Sequence, residues 1–137
     1  MIRVTTDTNI LVSGFQFHGN ERKLLYLAVD EKIIFVLSPQ IVDEFERVLI
    51  KKFSYSLDEA SDAVEFIYEI CELIEPESKL EAVKDDPTDN KILECAYDGE
   101  VEFIVSGDDH LLELEAFEGI PIVRTKRMLE LINESKK

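Results

Sequence analysis

The alternation of short apolar runs with amphipathic stretches constrains the fold of this 137-residue chain more than any other feature. Runs rich in Ile and Val predict buried strands at 2–6, 33–37, 102–106 and 120–124, with a weaker strand at 72–76. Strands separated by helical patterns favour a parallel sheet with right-handed crossovers. We therefore expect an α/β fold with a central parallel sheet and helices on both of its faces.

Apolar residues at helical spacing predict helices in the first three gaps between these strands and one more after the last strand. Ser38 and Pro39 form a good cap and first-turn pair, and Ser56 and Glu59 have the spacing of a capping box. Thr125 is expected to cap the last helix. The predicted helices cover residues 20–31, 39–52, 56–73, 88–99 and 126–134. We find no repeat, low-complexity tract or linker, so residues 1–137 are predicted to form a single domain.

The composition excludes several classes of protein. A hydrophobic content of 45% is ordinary for a globular chain, and there is no run of about 18 apolar residues that would span a membrane. No signal peptide is evident at the N-terminus. The two cysteines, Cys71 and Cys95, lie in helical apolar contexts and are predicted to be buried and unpaired. We therefore expect a cytoplasmic protein without a membrane association.

The net charge of -15 is unevenly distributed along the chain. Residues 55–118 carry 21 acidic residues against 3 basic ones. Such a block repels polyanions and favours divalent cations or a basic protein partner. Most of these carboxylates are expected to form solvated helix faces.

Two aspartates follow predicted strands. Asp7 comes directly after the strand at 2–6, and Asp108 comes just after the strand at 102–106. Because ligands bind beyond the carboxyl ends of parallel strands, we expect both side chains at that edge of the sheet. An ionised Asp7 between apolar runs is costly unless something compensates its charge. For Asp108 a turn or helix N-cap is the alternative interpretation.

Two further acids are predicted to lie on apolar helix faces. Glu44 falls on the stripe that includes Ile41 and Val48, so it must be paired, protonated or bound to a cation. Asp89 precedes Ile92 by three residues, at the start of its helix. It is either part of a site or a first-turn acid stabilised by the helix dipole.

Four carboxylates in one pocket would raise each other's pKa values unless a cation neutralised them. Ligands that are all oxygen atoms suit Mg²⁺ or Mn²⁺. The chain has no HExxH motif, Cys/His cluster, GxxxxGK[ST] loop or GxGxxG loop. Its histidines, His18 and His110, belong to no Ser/His/Asp pattern, and His110 is interpreted as a surface turn residue.

Four motifs in order, DTNILVSG, SPQIVDEF, DDPTDNKILECA and VSGDDHLLEL, resemble the PIN domain over nearly the whole chain. More closely, they resemble the branch formed by toxin components of prokaryotic toxin–antitoxin pairs. The resemblance implies a three-layer α/β/α sandwich and an Mg²⁺- or Mn²⁺-dependent ribonuclease that leaves a 5′-phosphate and a 3′-hydroxyl. By position, it assigns the metal-binding and catalytic acids to Asp7, Glu44, Asp89 and Asp108.

The resemblance also implies supporting residues around these acids. Asn9 matches a small polar position that steadies the metal site, and Ser106 matches the hydroxyl before the Gly-Asp pair. Asp86 matches an acid that is frequent in this branch. Asp109 is an adjacent acid that either assists the site or lies in solvent. His110 departs from the family pattern, because an acid is common at its position.

The expected substrate is single-stranded RNA, bound weakly because basic residues are few. Arg22, Lys23 and Arg47 are predicted to contact it. The loop predicted at 14–23 offers two phenylalanines and His18, which either stack on unpaired bases or, for a phenylalanine, pack in the core.

The resemblance favours an antitoxin protein as a partner and a homodimer, for which Phe66 and Tyr68 would widen the apolar face of the helix at 57–71. A competing hypothesis is a non-catalytic PIN-fold binding module that holds a cation or a basic protein partner. Phosphotransfer on a receiver-like or phosphatase-like fold is disfavoured, because the first motif is Asp-Thr-Asn and not Asp-x-Asp, and no lysine follows a late strand at a suitable place.

Overall fold

The structure is a computed structural model that describes residues 1–79 and 87–135, with the backbone alone at 87 and 88. Its strands are β1 (Ile2–Thr6), β2 (Ile33–Leu37), β3 (Cys71–Leu73), β4 (Phe103–Val105), β5 (Ala116–Phe117) and β6 (Ile120–Val123). Its helices are α1 (Thr8–Gln16), α2 (Asn20–Val29), α3 (Pro39–Phe53), α4 (Leu57–Ile70), α5 (Pro87–Asp98), α6 (Asp109–Glu113) and α7 (Thr125–Ser135).

The strands form one sheet in the order β3-β2-β1-β4-β6-β5. All neighbours pair in parallel except β5 and β6, which form a short antiparallel edge. In the centre, Val4 of β1 pairs with Phe35 of β2 on one side and with Phe103 of β4 on the other. The predicted central parallel sheet is confirmed, and β5 is an addition that the sequence patterns did not indicate.

Helices cover both faces of this sheet. The helices that connect β1, β2 and β3 pack on one another, α1 on α2 and α3, and α3 on α4, while α7 packs on α2. Along the sheet, β4 lies on the far side of β2 and β1 from β3, so the chain changes direction across the sheet between β3 and β4. Because crossovers between parallel strands are right-handed, this change of direction places α5 on the opposite face from α1 to α4. There Cys95 contacts the Thr5 hydroxyl and the Val36 carbonyl. The α/β/α sandwich is therefore confirmed.

The core lies between the sheet and these helices. Phe35 and Phe45 are its largest buried side chains. Phe15 packs edge-on against Phe45 and Phe66, with ring centroids 5.2 and 5.7 Å apart. Phe66 therefore contributes to the interior, and of the two side chains considered for a dimer interface only Tyr68 is exposed.

Helix α1 corrects the sequence analysis, which interpreted its residues as an apolar run followed by a loop at 14–23. The Asp7 side chain accepts a hydrogen bond from the Ile10 N–H at 2.9 Å and so caps the helix, whose apolar face is buried against α2 and α3. Only residues 17–19 separate α1 from α2. Helix α6 was also missed, because five residues are too few to show a periodic pattern.

The capping predictions have different outcomes. Ser38 accepts from the Ile41 N–H at 3.4 Å, and Ser56 and Glu59 form the predicted capping box. Thr125 was expected to cap α7 but is its first helical residue, and its hydroxyl is buried without a hydrogen-bond partner among the described residues. Within the same part of the chain, no helix is long and apolar enough to cross a membrane.

Candidate metal centre

The point where the chain changes direction across the sheet creates a crevice beyond β1 and β4. From β1 the chain proceeds towards β2 on one side, and it later returns to β4 on the other. Asp7 follows β1 directly, and its N–H donates to the Val105 carbonyl at the end of β4, at 3.2 Å. Such a switch point is where ligands bind in open α/β sheets.

Asp7 is an almost fully buried carboxylate, with a residue exposure of 4%. One oxygen caps α1, and the other accepts from the Ser106 hydroxyl and, at 3.3 Å, from the Gly107 N–H. Burial raises the pKa of Asp7 above its ordinary value, the hydrogen bond from Ser106 opposes this, and the charge of Asp108 adds to the increase. A nearby cation would relieve the cost of ionising this group.

Asp108 lies at the other side of the crevice and caps α6. Its Oδ1 accepts from the His110 N–H at 2.7 Å and from the Leu111 N–H at 3.4 Å. Its own N–H donates to the Ser106 hydroxyl at 2.9 Å. The capping alternative for Asp108 is thus real, and Asp7 has the same task for α1. Capping leaves their charges at helix N-termini, where carboxylates are stabilised.

Glu44 lies at the mouth of the crevice and not among core residues as the stripe on α3 suggested. Its side chain is 33% exposed and accepts from Arg47 at 2.6 Å. One turn of helix separates the two residues, and the neighbouring Val48 is only half-buried. The predicted need for a partner is therefore met by an ion pair at the surface.

Asp89 lies in the first turn of α5 and is buried, with a residue exposure of 4%. A cavity of about 210 Å³ brings it together with the other three acids. The residues that line the cavity are Asp7, Thr8, Asn9, Glu44, Val48, Lys52, Asp89, Ile92 and Asp108. Residues from four distant segments of the sequence thus face one small space.

The supporting residues have separate positions. Asn9 is exposed and lines the cavity, whereas Ser106 is buried and connects Asp7 to Asp108. Asp109 points away into an exposed ion pair with Arg124 at 3.3 Å and does not line the cavity. Asp86 lies outside the described residues.

Of the basic residues predicted to contact substrate, one lies beside the acids. Arg47 lines a second hollow of about 210 Å³ that shares Thr8, Glu44 and Ile92 with the acidic cavity. Arg22 donates to the carbonyls of Gly14 and Phe15 near the end of α1. Lys23 is exposed on α2.

Other basic residues near the acids were not among the predicted site residues. Lys52 lines the acidic cavity itself, and Lys91 lines the second hollow beside Arg47. A third hollow of about 550 Å³ shares Asn9 and Asp108 with the acidic cavity and continues to Arg124 and Lys126. These lysines and arginines come from α3, α5 and the start of α7, so no local sequence pattern could have grouped them.

The sequence comparison identifies the family. A family model described as a PIN domain matches residues 3–110, a span that includes all four acids. This chain belongs to the PIN domain family. No curated protein matches its sequence.

Two solved structures share the fold of this PIN domain. VapBC2 from Rickettsia felis, crystallised with a DNA fragment from the promoter, is 15% identical with a TM-score of 0.63, and the match covers 88% of this chain and 97% of that chain. PAE2754 from Pyrobaculum aerophilum is 14% identical with a TM-score of 0.63, over 97% of this chain and 98% of that chain. At these identities the similarity shows the fold.

The residues of this PIN domain fit a divalent cation. Asp89, Asp108 and His110 each offer one ligand atom, and these three atoms lie within 4.8 Å of one another. An ion with bonds of about 2.0–2.2 Å to oxygen or nitrogen can join groups at such spacing after small side-chain rotations. His110 is exposed, as the sequence analysis predicted, but its ring lies beside the acids. Its position two residues after Asp108 was the available signal.

The cysteines of this PIN domain offer no nucleophile. Both are free. Burial raises the pKa of Cys95 to about 12 and that of Cys71 to about 11. Both thiols are therefore protonated at neutral pH, and only the thiolate is an effective nucleophile.

Proposed function

We propose that this PIN domain, over residues 1–137, is an Mg²⁺- or Mn²⁺-dependent endoribonuclease and the toxin component of a toxin–antitoxin pair. The observation that carries the proposal is the cavity at the switch point, which Asp7, Glu44, Asp89 and Asp108 all line and beside which ligand atoms of Asp89, Asp108 and His110 lie within 4.8 Å of one another. Helix capping accounts for Asp7 and Asp108 one at a time, but not for the convergence of four acids from separate segments on one cavity.

The four acids would hold the cation, each in a different way. Asp7 is fixed from both oxygens by Ile10, Ser106 and Gly107, so it offers a rigid anchor. Asp108 is oriented by the start of α6. Glu44 is held at the mouth by Arg47, which also lies where a phosphate would approach.

When bound, the cation supplies an activated water molecule and neutralises charge on the scissile phosphate. Among the described residues the two thiols are protonated and do not line the cavity, and the Ser106 hydroxyl is engaged with Asp7 and Asp108. Direct hydrolysis by water is therefore the reaction that this chain supports, with a 5′-phosphate and a 3′-hydroxyl as the expected products.

The basic residues on either side of the acids support a single-stranded polyanion as the substrate. Arg47 and Lys91 line the hollow on one side, and Arg124 and Lys126 line the hollow on the other. Phosphates flanking the scissile bond would meet these cations while the scissile phosphate lies over the acids. Few contacts of this kind give weak, salt-dependent binding.

The test is cleavage of a single-stranded RNA with Mn²⁺ by Asp7→Asn, Asp89→Asn and Asp108→Asn variants. Asparagine removes the charge yet still caps helices, so α1 and α6 should persist. We expect each variant to lose about 100-fold or more in rate, and EDTA to abolish cleavage by the wild type. The matched control is Asp62→Asn, an exposed acid on α4. Undiminished cleavage by the Asp7 or Asp108 variant contradicts the proposal.

The same experiment separates the nuclease from the non-catalytic binding module. A protein that binds Mn²⁺ in calorimetry but leaves RNA intact over long incubation is a cation-holding module. A nuclease binds the ion and also cleaves, and both properties disappear together in the Asp108→Asn variant.

We also propose an antitoxin partner, a homodimer and a cytoplasmic location. The partner proposal is supported by the resemblance of the motifs to toxin components, and the fold shared with VapBC2 agrees with it. The free cysteines fit a reducing compartment. Light scattering of the purified protein tests the homodimer, since a monomer mass at micromolar concentration contradicts it.

A further inference from the structure

The imidazole of His110 lies among the acids of the candidate metal centre. One ring nitrogen of His110 and one carboxylate oxygen each of Asp89 and Asp108 lie within 4.8 Å of one another. Among the described residues, these three side chains form the cluster of His, Cys, Asp or Glu groups that could hold a metal ion. The backbone beneath the ring is fixed, because the His110 N–H donates to Asp108 Oδ1 at 2.7 Å. The backbone position of His110 relative to the Asp108 carboxylate is therefore fixed by this hydrogen bond.

The geometry points to His110 as a metal ligand that makes the centre selective for a transition-metal ion such as Mn²⁺ or Co²⁺ over Mg²⁺. This inference rests on the metal centre of the proposed function and adds the nature of the ion. A site that includes an imidazole nitrogen binds first-row ions with an affinity that rises from Mn²⁺ to Co²⁺, whereas Mg²⁺ takes oxygen ligands and retains its water molecules, so the preference over Mg²⁺ should be larger for Co²⁺ than for Mn²⁺.

In the described part of the chain, the charged residues near His110 pair with one another and not with its ring, so the ring is available to an ion. Arg124, the nearest cation in sequence beyond α6, pairs with Asp109 and not with Asp108. Glu44 is engaged with Arg47 at the mouth. In the proposed centre the buried Asp89 and the half-buried Asp108 provide oxygen ligands, and His110 provides the nitrogen at the exposed side.

The chain contains a matched control for this role. His18 is the other histidine, and its ring lies 3.1 Å from the Arg22 guanidinium, in the link between α1 and α2. It lines none of the three hollows described above. His18→Ala removes one imidazole from the protein, as His110→Ala does, but it leaves the residues of the candidate metal centre unchanged.

The experiment is calorimetric titration of the 137-residue chain with Mg²⁺, Mn²⁺ and Co²⁺ in the absence of RNA, together with the visible absorption spectrum of the Co²⁺ form. We expect His110→Ala to weaken Mn²⁺ and Co²⁺ binding by about 10-fold or more and Mg²⁺ binding by less than about 3-fold. His110→Asp should favour Mg²⁺ relative to Mn²⁺, and His18→Ala should match the wild type. The Co²⁺ spectrum should change only in the His110 variants.

The outcomes separate this inference from the proposed function. Equal loss of Mg²⁺ and Mn²⁺ affinity in His110→Ala, an unchanged Co²⁺ spectrum, or no ion binding by the wild type overturns the inference. If His110→Ala selectively loses affinity for Mn²⁺ and Co²⁺ but the wild type cleaves no RNA, the inference about His110 is supported and the proposed nuclease function is contradicted. Thermal unfolding of His110→Gln and His110→Ala shows whether α6 is intact.

Discussion

Ser106 donates a hydrogen bond to Oδ2 of Asp7 across the gap between the ends of β4 and β1. The same hydroxyl accepts the Asp108 N–H at 2.9 Å, so one buried side chain positions two of the acids. The distance in sequence between Ser106 and Asp7 is 99 residues, and only the parallel pairing of β1 with β4 brings them together.

Ser106→Ala should impair both stability and cleavage. It leaves the Asp108 N–H without this partner and Asp7 Oδ2 with only the longer hydrogen bond from the Gly107 N–H, which costs about 1–3 kcal/mol in the free energy of unfolding. It also removes the hydrogen bond that lowers the pKa of Asp7, so ion binding weakens. Urea denaturation and Mn²⁺ titration measure the two effects. Ser135→Ala, whose hydroxyl donates only to the Ile132 carbonyl, is the control. An unchanged Mn²⁺ affinity contradicts the positioning role of Ser106.

Asp7 should make the stability of the metal-free protein depend on pH. Its pKa in the folded state is raised, mainly by burial, above the ordinary value of 3.8. Folding therefore favours the protonated form, and this stabilisation is complete below that value and is lost as the pH rises through the raised pKa. In EDTA, we expect Asp7→Asn to gain stability relative to the wild type as the pH rises above 3.8 and through the raised pKa.

Asp98 offers a control of the opposite sign for this pH series. Hydrogen bonds from Ser78, and a further one from the Glu77 N–H, lower the pKa of Asp98 below 3.8. Its stabilisation is present above that value and is lost as the pH falls, so Asp98→Asn should lose its disadvantage at low pH. Thermal melts at several pH values measure both series. If stability changes with pH in the same direction for the two variants, burial does not raise the pKa of Asp7.

Arg124 and Lys126 should contribute to RNA affinity through phosphate contacts. The double alanine variant, made in an Asp7→Asn background to prevent cleavage, should reduce the slope of log affinity against log salt by about 1.4. Arg127→Ala is the control, because Arg127 pairs with Glu130 and Glu134 on its own helix. Fluorescence anisotropy with a labelled oligonucleotide gives the slopes. If Arg127→Ala reduces the slope of log affinity against log salt as much as the double variant does, the hollow beside α7 is not the path of the RNA.

Gly99→Ala should destabilise the fold without a direct effect on the site. A Cβ atom there would lie 2.6 Å from Val36 Cγ1 and 2.8 Å from the Cys95 carbonyl, so the end of α5 would have to move. Overpacking of this kind costs about 1–3 kcal/mol. Gly107→Ala meets no atom within 4 Å and serves as the comparison. Equal unfolding midpoints in urea for the two variants would contradict the close packing of α5 on β2.

The strands and most of the helices could be predicted because their signals are local. The apolar runs of β1 and β2 and the caps at Ser38 and Ser56 act within a few residues. Helix α1 was missed because its apolar residues follow a strand without a break, and Asp7 was considered only as a site residue. Its capping of α1 was overlooked for the same reason.

The sequence by itself determined the α/β class and the parallel part of the sheet, because periodicity is a property of short segments, and strand-end position led to the prediction that Asp7 and Asp108 lie at one edge of the sheet. Tertiary structure decided how two of the four acids are held: Asp7 is buried at the ends of the paired strands β1 and β4, and Glu44 is partly exposed in an ion pair with Arg47. It also decided that His110 and the flanking lysines and arginines lie beside the acids. Such contacts depend on the packing of separate elements, which no local spacing specifies.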